Sequence, residues 1–84
     1  MFKKINVIVI LLFIAQVAFS QISKDNFLEL VRQKKFEEAA KYIPDIATNY
    51  SKDFQMLTAF GDVYYDLEQY DEANRYYAAA YNLK

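Results

Sequence analysis

The sequence predicts an all-α fold, antiparallel helical hairpins of the α-solenoid kind behind an N-terminal export signal. Three observations carry this. From Gln21 onward the chain is built from Ala, Leu, Glu, Lys, Gln and Tyr, with one Gly and one Pro in all, a helix-forming vocabulary. Apolar residues recur there at helical spacing in four stretches. The segments between the paired stretches, Lys34-Lys35-Phe36 and Glu68-Gln69-Tyr70, are so short that each pair must double back on itself.

The segment from Met1 to Ser20 is a different material. Met1-Phe2-Lys3-Lys4 is basic, Ile5 to Ala15 is apolar apart from Asn6, and Ala18-Phe19-Ser20 places small residues three and one before Gln21. That layout is expected of a secretory signal peptide cleaved after Ser20, hence a periplasmic or secreted protein. The apolar run spans roughly 24 Å as a helix, short of the ~30 Å hydrocarbon core. An uncleaved membrane tether is the alternative. Cleavage would remove Lys3 and Lys4 but no acid, leaving a mature chain, Gln21 to Lys84, with a modest excess of carboxylates.

The helices follow in order. The first is expected over Lys24–Gln33 behind Ser23 as N-cap, with Phe27, Leu28, Leu30 and Val31 apolar. The second starts near Glu37 and carries Ala39, Ala40, Ile43 and Ile46. Pro44 inside it removes a backbone bond to Ala40 and is expected to kink or split it. The third opens near Asp53 behind Ser51 and shows Leu57, Phe60, Gly61, Tyr64 and Leu67. The fourth begins at Asp71, with Ala73, Tyr77 and Ala80. Asp53, Asp71 and Glu72 fall in first turns, where the helix dipole favours negative charge.

An internal repeat runs through this pattern. Lys35-Phe36-Glu37-Glu38-Ala39 aligns with Gln69-Tyr70-Asp71-Glu72-Ala73, and the same offset pairs Leu30 with Tyr64 and Ile43 with Tyr77. Leu57-x2-Phe60-Gly61-x2-Tyr64, then Tyr70, Ala73-x3-Tyr77 and Ala80, resembles the tetratricopeptide repeat, whose unit of about 34 residues is one helical hairpin. Leu57 stands where the family often has Trp, Phe60 where it has Leu, and Tyr77 where it has Phe. Residues 54–84 match well, and residues 21–53 form a degenerate unit marked by Phe36 and Ala39. The resemblance implies that Gly61 and Ala73 are small because two helices approach there, with Tyr64 and Tyr77 filling the space beside them and Tyr70 capping the turn.

It further implies a concave, ligand-holding wall. On the third helix that wall is Gln55, Thr58, Asp62, Tyr65 and Asp66, with Tyr65 as an aromatic anchor. Facing it are Gln21, Lys24, Leu28, Val31 and Arg32. Relatives that clamp carboxylate tails use Lys and Asn on this wall. Here Lys24 fits, but Leu28 takes the Asn place and Asp62 repels a carboxylate, which argues against that ligand class.

Chemistry is sparse. With no His and no Cys, there is no imidazole base, thiol nucleophile or zinc site of the usual ligands. One Gly cannot build a phosphate loop. The 10 Lys+Arg against 11 Asp+Glu, net −1, argues against electrostatically driven nucleic-acid binding. No enzyme activity, metal or cofactor is expected. Six acids and no Lys or Arg lie from Asp53 to Asn74, so the local field is negative.

The last helix, Tyr76-Tyr77-Ala78-Ala79-Ala80-Tyr81-Asn82-Leu83, is apolar on more than one face. Tyr76, Tyr81 and Leu83 are expected to form an exposed open end, because stacked hairpins bury each unit against the next. The function expected is an exported adaptor or scaffold that binds a peptide or partner protein by its concave face or open end. The alternatives are a tethered or self-associating oligomerisation element, or the first part of a longer repeat array.

Overall fold

A computed structural model of the chain describes residues 21–83. The expected signal segment 1–20, its cleavage point and Lys84 lie outside the described residues. Those described form helix α1 (Lys24–Arg32), α2 (Phe36–Ile46), a 3-10 turn (Thr48–Tyr50), α3 (Phe54–Asp66) and α4 (Tyr70–Asn82). The architecture is two helical hairpins, α1–α2 and α3–α4. Helix α3 packs on all three others, whereas α4 packs principally on α3.

The helix starts use two devices. Ser23 is extended, and its hydroxyl accepts the Asn26 N–H at 3.1 Å. Asp53 does the same for α3, accepting the Met56 N–H at 3.0 Å. Ser51, expected at that boundary, instead closes the 3-10 turn through its N–H to the Thr48 carbonyl. Helices α2 and α4 begin one residue earlier than expected, at Phe36 and Tyr70, without a side-chain cap. Glu37 and Glu38, and Asp71 and Glu72, supply first-turn negative charge.

Both hairpin turns are the same Schellman motif. After α1, Lys34 N–H reaches the Val31 carbonyl and Lys35 N–H the Leu30 carbonyl, both at 2.9 Å. After α3, Glu68 N–H reaches Tyr65 and Gln69 N–H reaches Tyr64, at 3.0 and 2.8 Å. The residue in the left-handed region is Lys34 in one (φ 60) and Glu68 in the other (φ 63), where glycine is the usual occupant. Helix end, left-handed residue and next helix start (Arg32, Lys34, Phe36; Asp66, Glu68, Tyr70) thus recur at the offset of the sequence repeat.

Pro44 does not split its helix. It lies exposed in the last turn of α2, and the Ala47 N–H still bonds the Ile43 carbonyl at 2.9 Å. A proline so near the end forfeits one bond with little helix left beyond it to redirect.

The core is formed where α3 meets the other helices. Phe27, Ile43, Ile46, Met56, Phe60 and Val63 are fully buried, with Ala39, Leu57, Ala59, Ala73 and Ala80 around them. Phe60 sits edge-on between Phe27 and Tyr76, each ring centroid 5.3 Å away. Tyr76 in turn stacks on Tyr64 at 5.8 Å, nearly parallel. Tyr76 therefore belongs to the core margin and not to an exposed open end: at i+3 from Ala73 it points back toward α3. Its phenol and that of Tyr64 are pushed up, chiefly by burial.

Gly61 has the role its neighbours dictate. A Cβ there would lie 2.5 Å from Cε1 and 2.6 Å from Cδ1 of Tyr77, so the Tyr77 ring occupies the volume a side chain would need. The ring is held by its hydroxyl, which donates to the Asp62 carboxylate at 2.6 Å. Burial first, and that hydrogen bond second, push the Tyr77 phenol far up.

Candidate functional site: a groove between the first and third helices

A groove of about 410 Å³ runs between the two leading helices of the hairpins. Helix α1 contributes Leu28, Val31 and Arg32, and α3 contributes Phe54, Gln55, Thr58, Ala59 and Asp62. The spacings explain the lining. Positions 28, 31 and 32 share one stripe of α1, and 55, 58, 59 and 62 share one stripe of α3, at the three- and four-residue steps that bring side chains above one another. The floor is apolar, from Leu28, Val31 and Ala59. A cation, Arg32, and an anion, Asp62, stand on opposite walls.

The polar groups at the rim are held but not consumed. Arg32 pairs with Glu29 one turn back, and Gln33 donates to the same carboxylate at 2.8 Å. These bonds, Gln33 first and Arg32 second, hold the Glu29 carboxyl below its ordinary range. Asp62 accepts from Tyr77 across the hairpin and remains exposed.

Several residues expected on the wall lie elsewhere. Tyr65 is 58% exposed and does not line the groove; its ring lies edge-on to Tyr70 at 5.2 Å. The next turn along from Asp62 has already rotated it past the α1 side. Tyr70, expected to cap the turn, is itself half exposed. Lys24 is tied to Asp53 at 2.6 Å, bracing the start of α1 to the start of α3. That contact, ahead of the Met56 N–H, holds the Asp53 carboxyl below its ordinary value. Asp66 faces a separate, open concavity at the turn end of α2, with Lys34, Lys35, Phe36, Glu37 and Lys41. Gln21 is exposed and does not line the groove.

The aromatic that does line the groove is Phe54, 43% exposed, which sequence reasoning passed over. Its signal was present: it precedes Thr58 by one turn, on the stripe already picked out. Among the described residues there is no group of three or more His, Cys, Asp or Glu placed to hold a metal ion. Nor is any described helix long and apolar enough to cross a membrane. Compared with protein-family models, curated proteins and solved structures, the chain matches none.

Proposed function

We propose that this chain is an exported protein-interaction adaptor of the tetratricopeptide type, which holds a peptide segment of a partner protein in the α1–α3 groove. The observation that carries the reading is the groove itself. Its apolar floor is open to a side chain, with an aromatic ring, Phe54, at its edge and one charge of each sign on its walls. Such a lining orients a short segment by charge and holds it by apolar contact. The recurrence of turn geometry at the repeat offset supports the repeat assignment. The basic–apolar–small layout of residues 1–20 supports export.

The mechanism is complementarity with no covalent step. A peptide side chain of Leu or Met size fills the space over Ala59, a cationic residue approaches Asp62, and an anionic one approaches Arg32. A displayed random-peptide library selected on the chain, and counter-selected on Leu28→Asp, tests this. Enrichment of sequences that bind the wild type and fail on Leu28→Asp is expected. A selection that returns nothing, or peptides indifferent to Leu28→Asp, overturns the proposal.

A further inference from the structure

The two hairpins differ in what covers them, and the repeat offset lets the difference be read position by position. In the first hairpin, whose helices both pack against α3, Ile43 is fully buried, and Val31 and Ala47 are half-buried. Their equivalents in the second hairpin are Tyr77, Tyr65 and Tyr81. Tyr77 is only half-buried, Tyr65 is 58% exposed and Tyr81 79% exposed. Each position opens at the same place, the face that in the first hairpin seats a helix. Among the described residues no helix follows α4 to cover it. Tyrosine at all three positions suits a surface that is wet when free and apolar when covered.

The charge on this face selects the occupant. Where the first hairpin presents Leu28 toward α3, the second has Asp62 at the equivalent position. Along the chain from Asp53 to Asn74 there are six acids and no Lys or Arg. A second copy of this chain is a poor occupant. Its leading helix, α1, carries Asp25 and Glu29 where the seated helix α3 has the buried Ala59 and Val63. Those carboxylates would be driven against Tyr77 and Asp62, an unfavourable burial of like charge.

We infer that the Tyr65–Tyr77–Tyr81 face is the seat of an amphipathic helix from a partner protein. That helix lies on α3–α4 as α3 lies on α1–α2, with apolar residues on the tyrosines and Lys or Arg opposite Asp62. This seat lies on the other side of α3 from the α1–α3 groove and shares only Asp62 with it. Its occupant is recognised by helical periodicity and positive charge, in the helix-in-groove manner.

The test uses the full chain and two fluorescent synthetic helices of about 14 residues, roughly four turns. Both keep the apolar spacing of α3 (positions 56, 57, 59, 60 and 63); one carries Lys at the remaining positions and its twin carries Glu. By fluorescence anisotropy the Lys helix is expected to bind about tenfold or more tightly than the Glu helix. Tyr81→Ala, at an exposed position that folding does not need, is expected to weaken the Lys helix about tenfold, while Leu28→Asp in the groove leaves it unchanged. Three results overturn the inference. They are equal binding of the twins, binding lost in Leu28→Asp but kept in Tyr81→Ala, and a dimer of the unliganded chain, seen by sedimentation equilibrium, that Tyr81→Ala dissolves.

Discussion

Gly61→Ala is the most informative single substitution, because two effects of known size oppose each other. Replacing a mid-helix glycine with alanine ordinarily stabilises by about 1 kcal/mol. Here the new methyl would stand 2.5 Å from the Tyr77 ring, about 1 Å inside the ordinary carbon–carbon separation. The ring is anchored to Asp62 at 2.6 Å, so retreat sacrifices that bond. Overpacking of this kind costs roughly 1–3 kcal/mol. The lost hydrogen bond, to an exposed carboxylate, adds about 1 kcal/mol. The net expectation is a loss of about 1–3 kcal/mol, or roughly 5–25 °C in Tm for a domain this small.

The assay is a double-mutant cycle followed by circular dichroism during thermal and urea unfolding. Tyr77→Val lacks the three ring atoms that approach the new methyl. In that background Gly61→Ala should become stabilising by about 1 kcal/mol, a coupling of about 2–4 kcal/mol. If Gly61→Ala raises stability equally in both backgrounds, the Tyr77 ring does not lie on Gly61 and the reasoning fails.

Other substitutions probe the turns, the α1–α3 brace and the aromatic cluster. Lys34→Gly and Glu68→Gly each relieve a left-handed residue and should stabilise by about 1 kcal/mol, read as a higher urea midpoint at constant slope. Asp53→Asn keeps the cap acceptor but not the titration. The wild-type carboxyl is held below its ordinary value of 3.8, so its contribution is full above that value and is lost as pH falls through the lower folded value. The stability difference between wild type and Asp53→Asn should therefore shrink on acidification below about pH 4; a difference that grows would contradict the Lys24 pairing. Tyr76→Ala, which strips a ring from Phe60 and Tyr64, should cost about 2–4 kcal/mol. Tyr65→Ala, on an exposed ring, should cost about 0.5 kcal/mol by chemical denaturation.

What could be read from the sequence follows the strength of the physical signal. Leu57, Phe60 and Ala73 declare the apolar faces by period alone, and the short connections declare the hairpins. The Schellman turns were hidden because Lys34 and Glu68 stand where glycine would have announced them. The tyrosine doublets were the harder case. Tyr64 and Tyr65, or Tyr76 and Tyr77, are neighbours about 100° apart on a helix, and both members of each pair are the same amphipathic side chain. Composition therefore cannot say which one turns inward. Tyr76 lies at the core margin and Tyr65 in solvent because of where α4 crosses α3, a tertiary fact. The groove lining coincides at Leu28, Val31, Arg32, Gln55, Thr58 and Asp62 with the wall that the repeat resemblance implies. It departs from that wall at Lys24 and Asp66, where long or terminal side chains found nearer partners or another concavity.

The α1–α3 groove is the centre of the functional proposal, and amide chemical-shift mapping tests it most directly. The isotopically labelled chain would be titrated with a peptide enriched by selection on the wild type. Shifts concentrated at Leu28, Val31, Thr58 and Ala59, and abolished in Leu28→Asp, are the predicted result. Saturable binding whose shifts leave all of those positions untouched would contradict the account.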